Sequence, residues 1–301
     1  MSTLNAIYKE HFSELEKYYH NKDMAFQIFS FLYEYVFQEK FFLVKNDTVL
    51  SKKKVTIFRK YIHDITVFHL PIEYIVKTIP FINISINITP PVLIPRTETE
   101  YWINWLTKKL ESKKTEKLFI ADFCSGSGCI GIALLDFFKK SFCDAFDNMS
   151  RAVELASQNA TLNQVKKRYT IYLKDIFKIK KQKKYDIIVA NPPYISLKNY
   201  EKLDLSVKQW EAKSALTDNK HGYAFIIHIL LFSKNKLKKD SILAIEICCT
   251  YAHFILKYAK KTYNNNNDFV FLVKDQYNKN RVLMIARGSY KAFFECVHEV
   301  Y

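Results

Sequence analysis

The feature that most constrains the fold is an alternation of apolar, β-branched runs with helical patterns after residue 117. Five runs predict strands at 118–121, 142–146, 170–173, 186–190 and 242–247. Helical patterns, four in all, follow most of them, at 130–138, 150–162, 223–235 and 252–261. Repeated βα units with apolar strands predict a parallel sheet covered on both faces. Runs at 269–273 and 281–286 predict an antiparallel hairpin at its edge.

A glycine cluster follows the first predicted strand. The chain has only five glycines, and three of them lie between Gly126 and Gly131, whereas average usage would give roughly 20. Glycine lets the backbone turn sharply and approach a ligand closely. The helix that follows offers its N-terminal N–H groups to such a ligand. Asp122 ends the strand, so strand, acid, glycine loop and helix together predict a cofactor site.

Acids also end the next two predicted strands. Asp147 follows Asp122 by 25 residues, where a carboxylate can accept from both hydroxyls of a ribose. Asp175 ends the third strand, where it can accept from an adenine amino group. The loop does not complete Gly-x-Gly-x-x-Gly in the usual phase, and no signal for a second nucleotide half follows. The pattern therefore favours S-adenosylmethionine over a dinucleotide, and Asp122 suits its cationic groups.

The fourth strand ends in Asn-Pro-Pro-Tyr. A sheet cannot continue through Pro192 and Pro193, which lack a backbone N–H, so Asn191 projects from the carboxyl edge of the sheet. Asn191 Oδ1 and the Pro192 carbonyl can accept the two hydrogens of a planar NH2 group, and the Tyr194 ring can cover its face. The alternative is a simple turn after a strand, since Asn-Pro often forms one.

Net charge is +16 in 301 residues, which suits an anionic partner such as RNA or the ribosome. No single stretch concentrates this charge, so drift toward lysine across the whole chain is the alternative. The six cysteines form no CxxC pair, and no histidine pair stands at ligand spacing, which indicates a reduced compartment and no structural metal. No apolar run approaches the roughly 20 residues of a membrane helix.

Proline usage predicts the domain boundaries. Five of the seven prolines fall between Pro71 and Pro95. We expect an N-terminal helical domain over 1–75, a connector over 76–95 and a catalytic domain over 96–301. The aromatic residues of the first domain are expected to form its core.

Two local features are expected around the connector. Residues 81–88, FINISINI, alternate as one strand that can pair with 92–94 across the Pro90-Pro91 turn. Thr97 and Glu100 have the spacing of a capping box, which would begin a helix reaching to Leu110.

The glycine loop, Asp147 and the Asn-Pro-Pro-Tyr sequence together resemble a class I S-adenosylmethionine-dependent methyltransferase acting on an NH2 group. Two further segments narrow the resemblance to the peptide chain release factor glutamine methyltransferases. They are PIEYIVKTIPF followed by VLIPRTETE, and WEAKSALTDNKHGY after NPPYIS. The resemblance covers nearly the whole chain from about Pro71, while the first 70 residues match only in being helical.

The resemblance implies a Rossmann-like, mostly parallel seven-stranded sheet with a C-terminal antiparallel hairpin, plus a small N-terminal helical domain that recognises the substrate. It implies a substrate site at Asn191, Pro192, Pro193 and Tyr194, of which Asn191, Pro192 and Tyr194 are catalytic. The implied S-adenosylmethionine site includes Asp122, the acid at the end of the first predicted strand. Its other residues are Cys124, Ser125, Gly126, Ser127, Gly128, Asp147, Asp175, Ile176 and Asn191.

Three positions depart from the family pattern. Cys124 replaces a glycine, so the loop must have negative φ there or tolerate a side chain. Ile176 stands where bacterial members often have an aromatic residue. Ala212 replaces the proline after Glu211.

The implied reaction is methylation of the side-chain amide nitrogen of the glutamine in the Gly-Gly-Gln motif of a class 1 release factor. We further expect a monomer without metal or membrane, association with the ribosome, and a mitochondrial location, with a bacterial or organellar-type cytoplasm as the alternative. A pI of about 9.3 and the departures at Cys124 and Ala212 motivate that location. Two other functions stay open: a DNA or RNA adenine-amino methyltransferase, and a non-catalytic ribosome- or RNA-binding module.

Overall fold

The structure is a computed structural model that describes residues 3–180 and 183–294; Cys296 therefore lies outside the described residues. The chain divides into two compact units. The first holds the described residues up to Lys77 together with Asp204–Trp210, and the second begins at Thr78 and holds the rest. No helix in the described part of the chain is long and apolar enough to span a bilayer.

The first unit is helical. Its main helices are α1 Leu4–Tyr19, α2 Lys22–Phe37, α3 Lys52–Thr66 and α4 Ile72–Val76. The Thr3 hydroxyl accepts from Ala6 N–H and the Asn21 side chain accepts from Met24 N–H, so two helix starts are capped by side chains. Its core is rich in aromatic side chains, among them fully buried Phe29, Tyr33 and Phe58.

The second unit contains a two-stranded and a seven-stranded sheet. Strands β1 Thr78–Phe81 and β2 Ile84–Asn87 form the small hairpin. The large sheet is made of β3 Phe119–Phe123, β4 Phe142–Asp147, β5 Tyr169–Leu173, β6 Tyr185–Ala190, β7 Leu237–Glu246, β8 Asp268–Lys274 and β9 Asn280–Arg287. Its helices are α5 Thr97–Lys109, α6 Cys129–Phe137, α7 Ser150–Leu162, α8 Leu197–Tyr200, α10 Lys213–Leu216, α11 Ala224–Lys234 and α12 Ala252–Thr262; α9 Leu205–Trp210 lies in the first unit.

The topology of the large sheet confirms the predicted class I methyltransferase fold. The strand order is β5-β4-β3-β6-β7-β9-β8. Neighbours from β5 to β7 pair in parallel, whereas β9 pairs antiparallel with both β7 and β8. The central strand β6 is apolar in its centre, where Ile187, Ile188 and Val189 have no exposed surface. All five parallel strands therefore present their carboxyl ends at one edge of the sheet.

The prediction of one continuous strand over 81–88 is wrong. The chain turns back at Ile82-Asn83, so that Phe81 faces Ile84 and Thr78 faces Asn87 in an antiparallel hairpin. Residues 92–94 form no strand. The Glu100 carboxylate accepts from Ile82 N–H at 2.6 Å, and this tertiary contact stabilises a turn at a position where the local alternation predicts none.

The capping box at Thr97 and Glu100 is also wrong. Helix α5 begins at Thr97 itself, with Arg96 as its N-cap residue. The Thr97 hydroxyl contacts Glu98 at 3.3 Å, and the Glu100 carboxylate is engaged by Ile82. The Arg96 guanidinium bonds Glu211, so side chains of this segment serve tertiary contacts rather than the helix start.

Candidate active site

A cleft lies at the carboxyl ends of β3 to β6, the edge at which open α/β sheets bind ligands. Its walls come from seven separate stretches of sequence, four of which lie at the ends of β3, β4, β5 and β6. The predicted site residues that line it are Cys124, Ser125, Gly126, Ser127, Asp147, Asp175, Ile176, Asn191 and Pro193. Apolar residues such as Phe146, Met149 and Phe225 complete the lining. Asp122, Gly128, Pro192 and Tyr194 do not line it.

The loop between β3 and α6 has left-handed backbone at three positions. Gly126 and Gly128 have φ of +53° and +81°, and Cys124 has φ of +58°. Of the two alternatives expected at Cys124, negative φ or a tolerated side chain, the second holds, at the cost that a non-glycine residue carries in this region. A Cβ at Gly126 would meet no atom within 4 Å, so the backbone there faces open space in the cleft.

Asp122 lies beneath the loop. Its carboxylate is fully buried, and its Oδ2 accepts from Gly131 N–H in the first turn of α6 at 3.0 Å. A Cβ at Gly131 would stand 2.9 Å from that oxygen, so glycine permits the approach. Burial raises the pKa of Asp122 to about 7, against the lowering effect of the Gly131 hydrogen bond. Asp122 therefore supports the helix start and, unlike Asp147, does not line the cleft.

Asp147 holds the loop and also faces the cleft. Its Oδ2 accepts from Gly126 N–H at 2.8 Å and its Oδ1 from Met149 N–H at 2.9 Å. Burial raises the pKa of this carboxyl. Each carboxylate oxygen has two acceptor sites, so Asp147 retains capacity for hydroxyl donors in the cleft. Asp175 Oδ1 similarly accepts from Phe177 N–H at 3.0 Å, beside Ile176 at the same wall.

A chain of hydrogen bonds fixes the Asn191 amide. Asn191 Nδ2 donates to Thr99 Oγ1 over a long 3.4 Å, and Thr99 Oγ1 donates to Glu246 Oε2 at 2.7 Å. Since the amide nitrogen is directed to Thr99, the Oδ1 atom is the one available to a ligand. Thr99 is 1 % exposed, so this orientation is set inside the protein.

Glu246 is the centre of this network. It ends β7, is fully buried, and accepts also from Trp102 Nε1 and Tyr194 OH, each at 2.9 Å. Burial raises its pKa, and the three donors act against that shift. A buried carboxylate with three donors is a rigid acceptor, so Glu246 links the Asn-Pro-Pro-Tyr segment to helix α5.

The backbone after Tyr194 is held by the WEAKSALTDNKHGY segment. Ile195 forms a parallel bridge with Thr217, and Ile195 N–H donates to Leu216 O at 2.9 Å. Gly222 has φ of +89°, and a Cβ there would stand 2.5 Å from the Tyr194 carbonyl oxygen. Only glycine therefore fits beside the Asn-Pro-Pro-Tyr backbone.

An ion pair joins the VLIPRTETE segment to the WEAKSALTDNKHGY segment. Arg96 Nη2 donates to both carboxylate oxygens of Glu211, at 2.6 and 2.7 Å, and Glu211 is buried. Next to it, Ala212 N–H donates to Pro91 O at 2.8 Å. A proline at 212 would lack this donor, so the departure from the family pattern adds a hydrogen bond here.

Sequence reasoning missed Thr99, Trp102 and Glu246. One signal for Glu246 was present: it ends an apolar strand run with an acid, as Asp122 and Asp147 do. Thr99 and Trp102 lie in and just after the IPRTETE segment, but nothing in the local pattern indicates that they face a strand end 144 or more positions away.

Comparisons with known proteins agree with this architecture. A methyltransferase small domain family model matches residues 101–228. A release factor glutamine methyltransferase of Bacillus anthracis is 33% identical over 202 residues, which cover 66% of this chain and 70% of that protein. The chain belongs to the release factor glutamine methyltransferase family.

Two further relatives and one solved structure differ in how much of each chain the similarity covers. The release factor glutamine methyltransferase of Fusobacterium nucleatum is 33% identical over 229 residues, and the match spans 76% of this chain but 63% of that protein. A probable mitochondrial N(5)-glutamine methyltransferase of Schizosaccharomyces pombe is 28% identical over 235 residues, covering 72% and 75%. A solved methyltransferase from Pyrococcus furiosus superposes with a TM-score of 0.47 at 15% identity, over 79% of this chain and all of that one.

Proposed function

We propose that this protein methylates the side-chain amide nitrogen of the glutamine in the Gly-Gly-Gln motif of a class 1 peptide chain release factor, and so supports translation termination. The observation that carries the proposal is the fixed Asn191 amide, whose Oδ1 is free at the cleft beside the glycine loop. Family membership supports the same substrate class, because relatives are named for that reaction.

S-adenosylmethionine is the proposed methyl donor, and the cleft has the chemistry to hold it. Asp147 can accept from ribose hydroxyls, Asp175 can accept from an adenine amino group, and Ile176 and Phe146 offer apolar contact. The open space at Gly126 allows close approach of a ligand to the loop. The cofactor would supply an electrophilic methyl group on a sulfonium. Asp122 is left out of this proposed set because its carboxylate is buried under α6.

The protein's own contribution is orientation. An amide nitrogen is a poor nucleophile, because its lone pair is delocalised into the carbonyl. Asn191 Oδ1 and the Pro192 carbonyl would accept the two N–H groups of the substrate amide and point its lone pair at the methyl carbon. These acceptors strengthen as positive charge develops on nitrogen, so they favour the transition state over the ground state. The methylated nitrogen becomes acidic and loses a proton to water, so we assign no side-chain base.

The region that recognises the release factor and the cellular location are proposed on separate grounds. We assign release factor recognition to the helical residues 1–75, since the catalytic constellation lies wholly in the second unit. A mitochondrial location fits the pI of about 9.3 and the named location of the S. pombe relative. A fluorescent C-terminal fusion that remains outside mitochondria would refute it.

The direct test is methyl transfer to a recombinant release factor, read by mass spectrometry of the Gly-Gly-Gln peptide. We expect one added methyl on the glutamine side chain, dependent on S-adenosylmethionine. The matched control is the same release factor with that glutamine replaced. Equal methylation of the control, or transfer to adenine-containing RNA or DNA with none to the release factor, would reject the proposal.

A further inference from the structure

The positive charge of the second unit is gathered at the amino edge of the large sheet. Five segments lead into the five parallel strands: 111–117, 138–141, 163–168, 183–184 and 234–240. Together they contain 14 of the 46 basic residues and 3 of the 30 acidic residues, within 26 positions. Because parallel strands all begin at the same edge, segments far apart in sequence are brought side by side. They supply +11 of the net charge of +16.

Ring contacts show the same convergence at atomic scale. Lys117, Lys183 and Lys238 come from three of these segments, and their Nζ atoms lie 6.0, 4.8 and 4.8 Å from the centroid of the Phe119 ring. An irregular register places Leu237 opposite Tyr185 but Ile242 opposite Ile187, so the start of β7 adds extra residues to this edge. Lysines from three separate segments therefore meet around one ring at this edge.

Many of these charges are free. Lys140, Lys167, Lys184 and Lys239 are exposed, and in the described part of the chain none of them forms an ion pair. They come from the segments before β4, β5, β6 and β7. From β5 to β7 the edge crosses four strand spacings, or about 19 Å, a length suited to several successive phosphates.

We propose that this amino edge binds the phosphate backbone of RNA without sequence preference. An edge with 14 basic and only 3 acidic residues has the electrostatic footprint of backbone binding. None of the large exposed hydrophobic side chains of the described chain falls in the five segments. The edge thus lacks the apolar groups that insert into a membrane and the aromatic anchors typical of protein interfaces.

The amino edge of the large sheet is separate from the candidate active site. The cleft lies at the carboxyl ends of the strands, and the five residues of β3 put the two edges about 15 Å apart. Bound RNA would therefore leave the cleft open. This inference does not rest on the proposed methylation, and each can fail without the other.

The test is fluorescence anisotropy with a labelled, mixed-sequence single-stranded RNA of about 20 nucleotides, titrated across salt concentrations. The edge variant carries Lys140→Gln, Lys167→Gln, Lys184→Gln and Lys239→Gln. The matched control carries Lys17→Gln, Lys22→Gln, Lys45→Gln and Lys53→Gln, four exposed lysines of the first unit. Both lose four charges, so only position differs between them.

We expect the edge variant to bind RNA at least tenfold more weakly near 0.1 M salt, with a slope of log K against log salt reduced by about 0.7 for each lost contact. The control should change RNA affinity less than about threefold, and methyl transfer should be unaltered in the edge variant. Equal losses in the two variants, an unchanged slope, or binding to phosphatidylserine vesicles without binding to RNA would overturn the proposal. The double variant Lys167→Gln/Lys184→Gln is a milder second variant. It should show about half the reduction in the salt slope that the edge variant shows.

Discussion

Tyr194 OH donates to Glu246 Oε1 at 2.9 Å, which joins the end of the Asn-Pro-Pro-Tyr segment to the end of β7. From sequence the proposed role of Tyr194 needs only its ring, yet the hydroxyl has a buried partner. Glu246 also accepts a hydrogen bond from Thr99 Oγ1, and Thr99 Oγ1 accepts one from Asn191 Nδ2. Tyr194 and Asn191 therefore belong to one hydrogen-bonded unit.

The first prediction tests that unit by a double-mutant cycle. Tyr194→Phe leaves a buried acceptor without its donor and should lower the free energy of unfolding by about 1–3 kcal/mol. Glu246→Gln, which cannot accept from all three donors, should lower both stability and turnover while cofactor affinity changes little. Urea unfolding of the singles and the double should give a coupling of at least about 0.5 kcal/mol. Strict additivity would show that the bond contributes nothing.

The second prediction concerns Asn191. Asn191→Ala removes the proposed acceptor, and Asn191→Asp adds a charge. In both variants turnover on the release factor should fall about 100-fold or more, comparable to the loss of one oriented transition-state contact. Cofactor affinity by calorimetry should stay near the wild-type value. Exposed Asn235→Ala is the control. Full activity of Asn191→Ala per folded molecule would leave Asn191 with only a turn-forming role.

The third prediction concerns Asp147. Asp147→Ala should weaken S-adenosylmethionine binding by a few kcal/mol, since hydrogen bonds to charged groups contribute about 1.5–3 kcal/mol each. It should also loosen the loop, which loses the acceptor of Gly126 N–H. Calorimetry measures S-adenosylmethionine affinity, and Asp136→Ala, outside the cleft, is the control. The control separates the loss of the Asp147 contacts from the general effect of removing a negative charge. An unchanged dissociation constant would refute the role assigned to Asp147.

The fourth prediction is a pH dependence set by Asp122. Its pKa in the folded protein, about 7, lies above the ordinary value of 3.8, so the folded state binds this proton more tightly. The contribution of this group to stability is then fully present below about pH 4 and is lost as pH rises toward about 7, by up to about 1.4 kcal/mol per pH unit. Asp122→Asn keeps an acceptor for Gly131 N–H without the charge and should flatten this fall. Urea unfolding between about pH 5 and pH 8 measures it; an equally steep fall in the variant would contradict the assignment.

The fifth prediction uses the positive φ of Cys124. A left-handed backbone costs a non-glycine residue about 1–2 kcal/mol, and glycine loses part of that gain through its greater unfolded-state entropy. Cys124→Gly should therefore raise the free energy of unfolding by about 0.5–1 kcal/mol, whereas β-branched Cys124→Val should lower it. Denaturant titration of the two variants decides, and destabilisation by glycine would mean that the thiol has contacts that outweigh the strain.

Local patterns were sufficient for much of the fold. Apolar β-branched runs, glycines and prolines act on their own neighbours, so strands β3 to β9, the loop at Gly126 and the strand end at Asn191 could be predicted. Strand ends also carry information, because the carboxyl ends of parallel strands must meet. That is why Asp147, Asp175 and Asn191 could be placed at one edge, which became the cleft.

Tertiary structure decided what the same residues do there. Asp122 ends its strand as Asp147 does, yet it lies under α6 because Gly131 admits its carboxylate. Ile82 continues an alternating pattern, yet it turns because Glu100 accepts its N–H. The lysines are dispersed along the chain, and only the parallel strand order collects them at one edge. Hydrogen bonds and charges act over a few ångströms in space, and distance along a sequence does not report that separation.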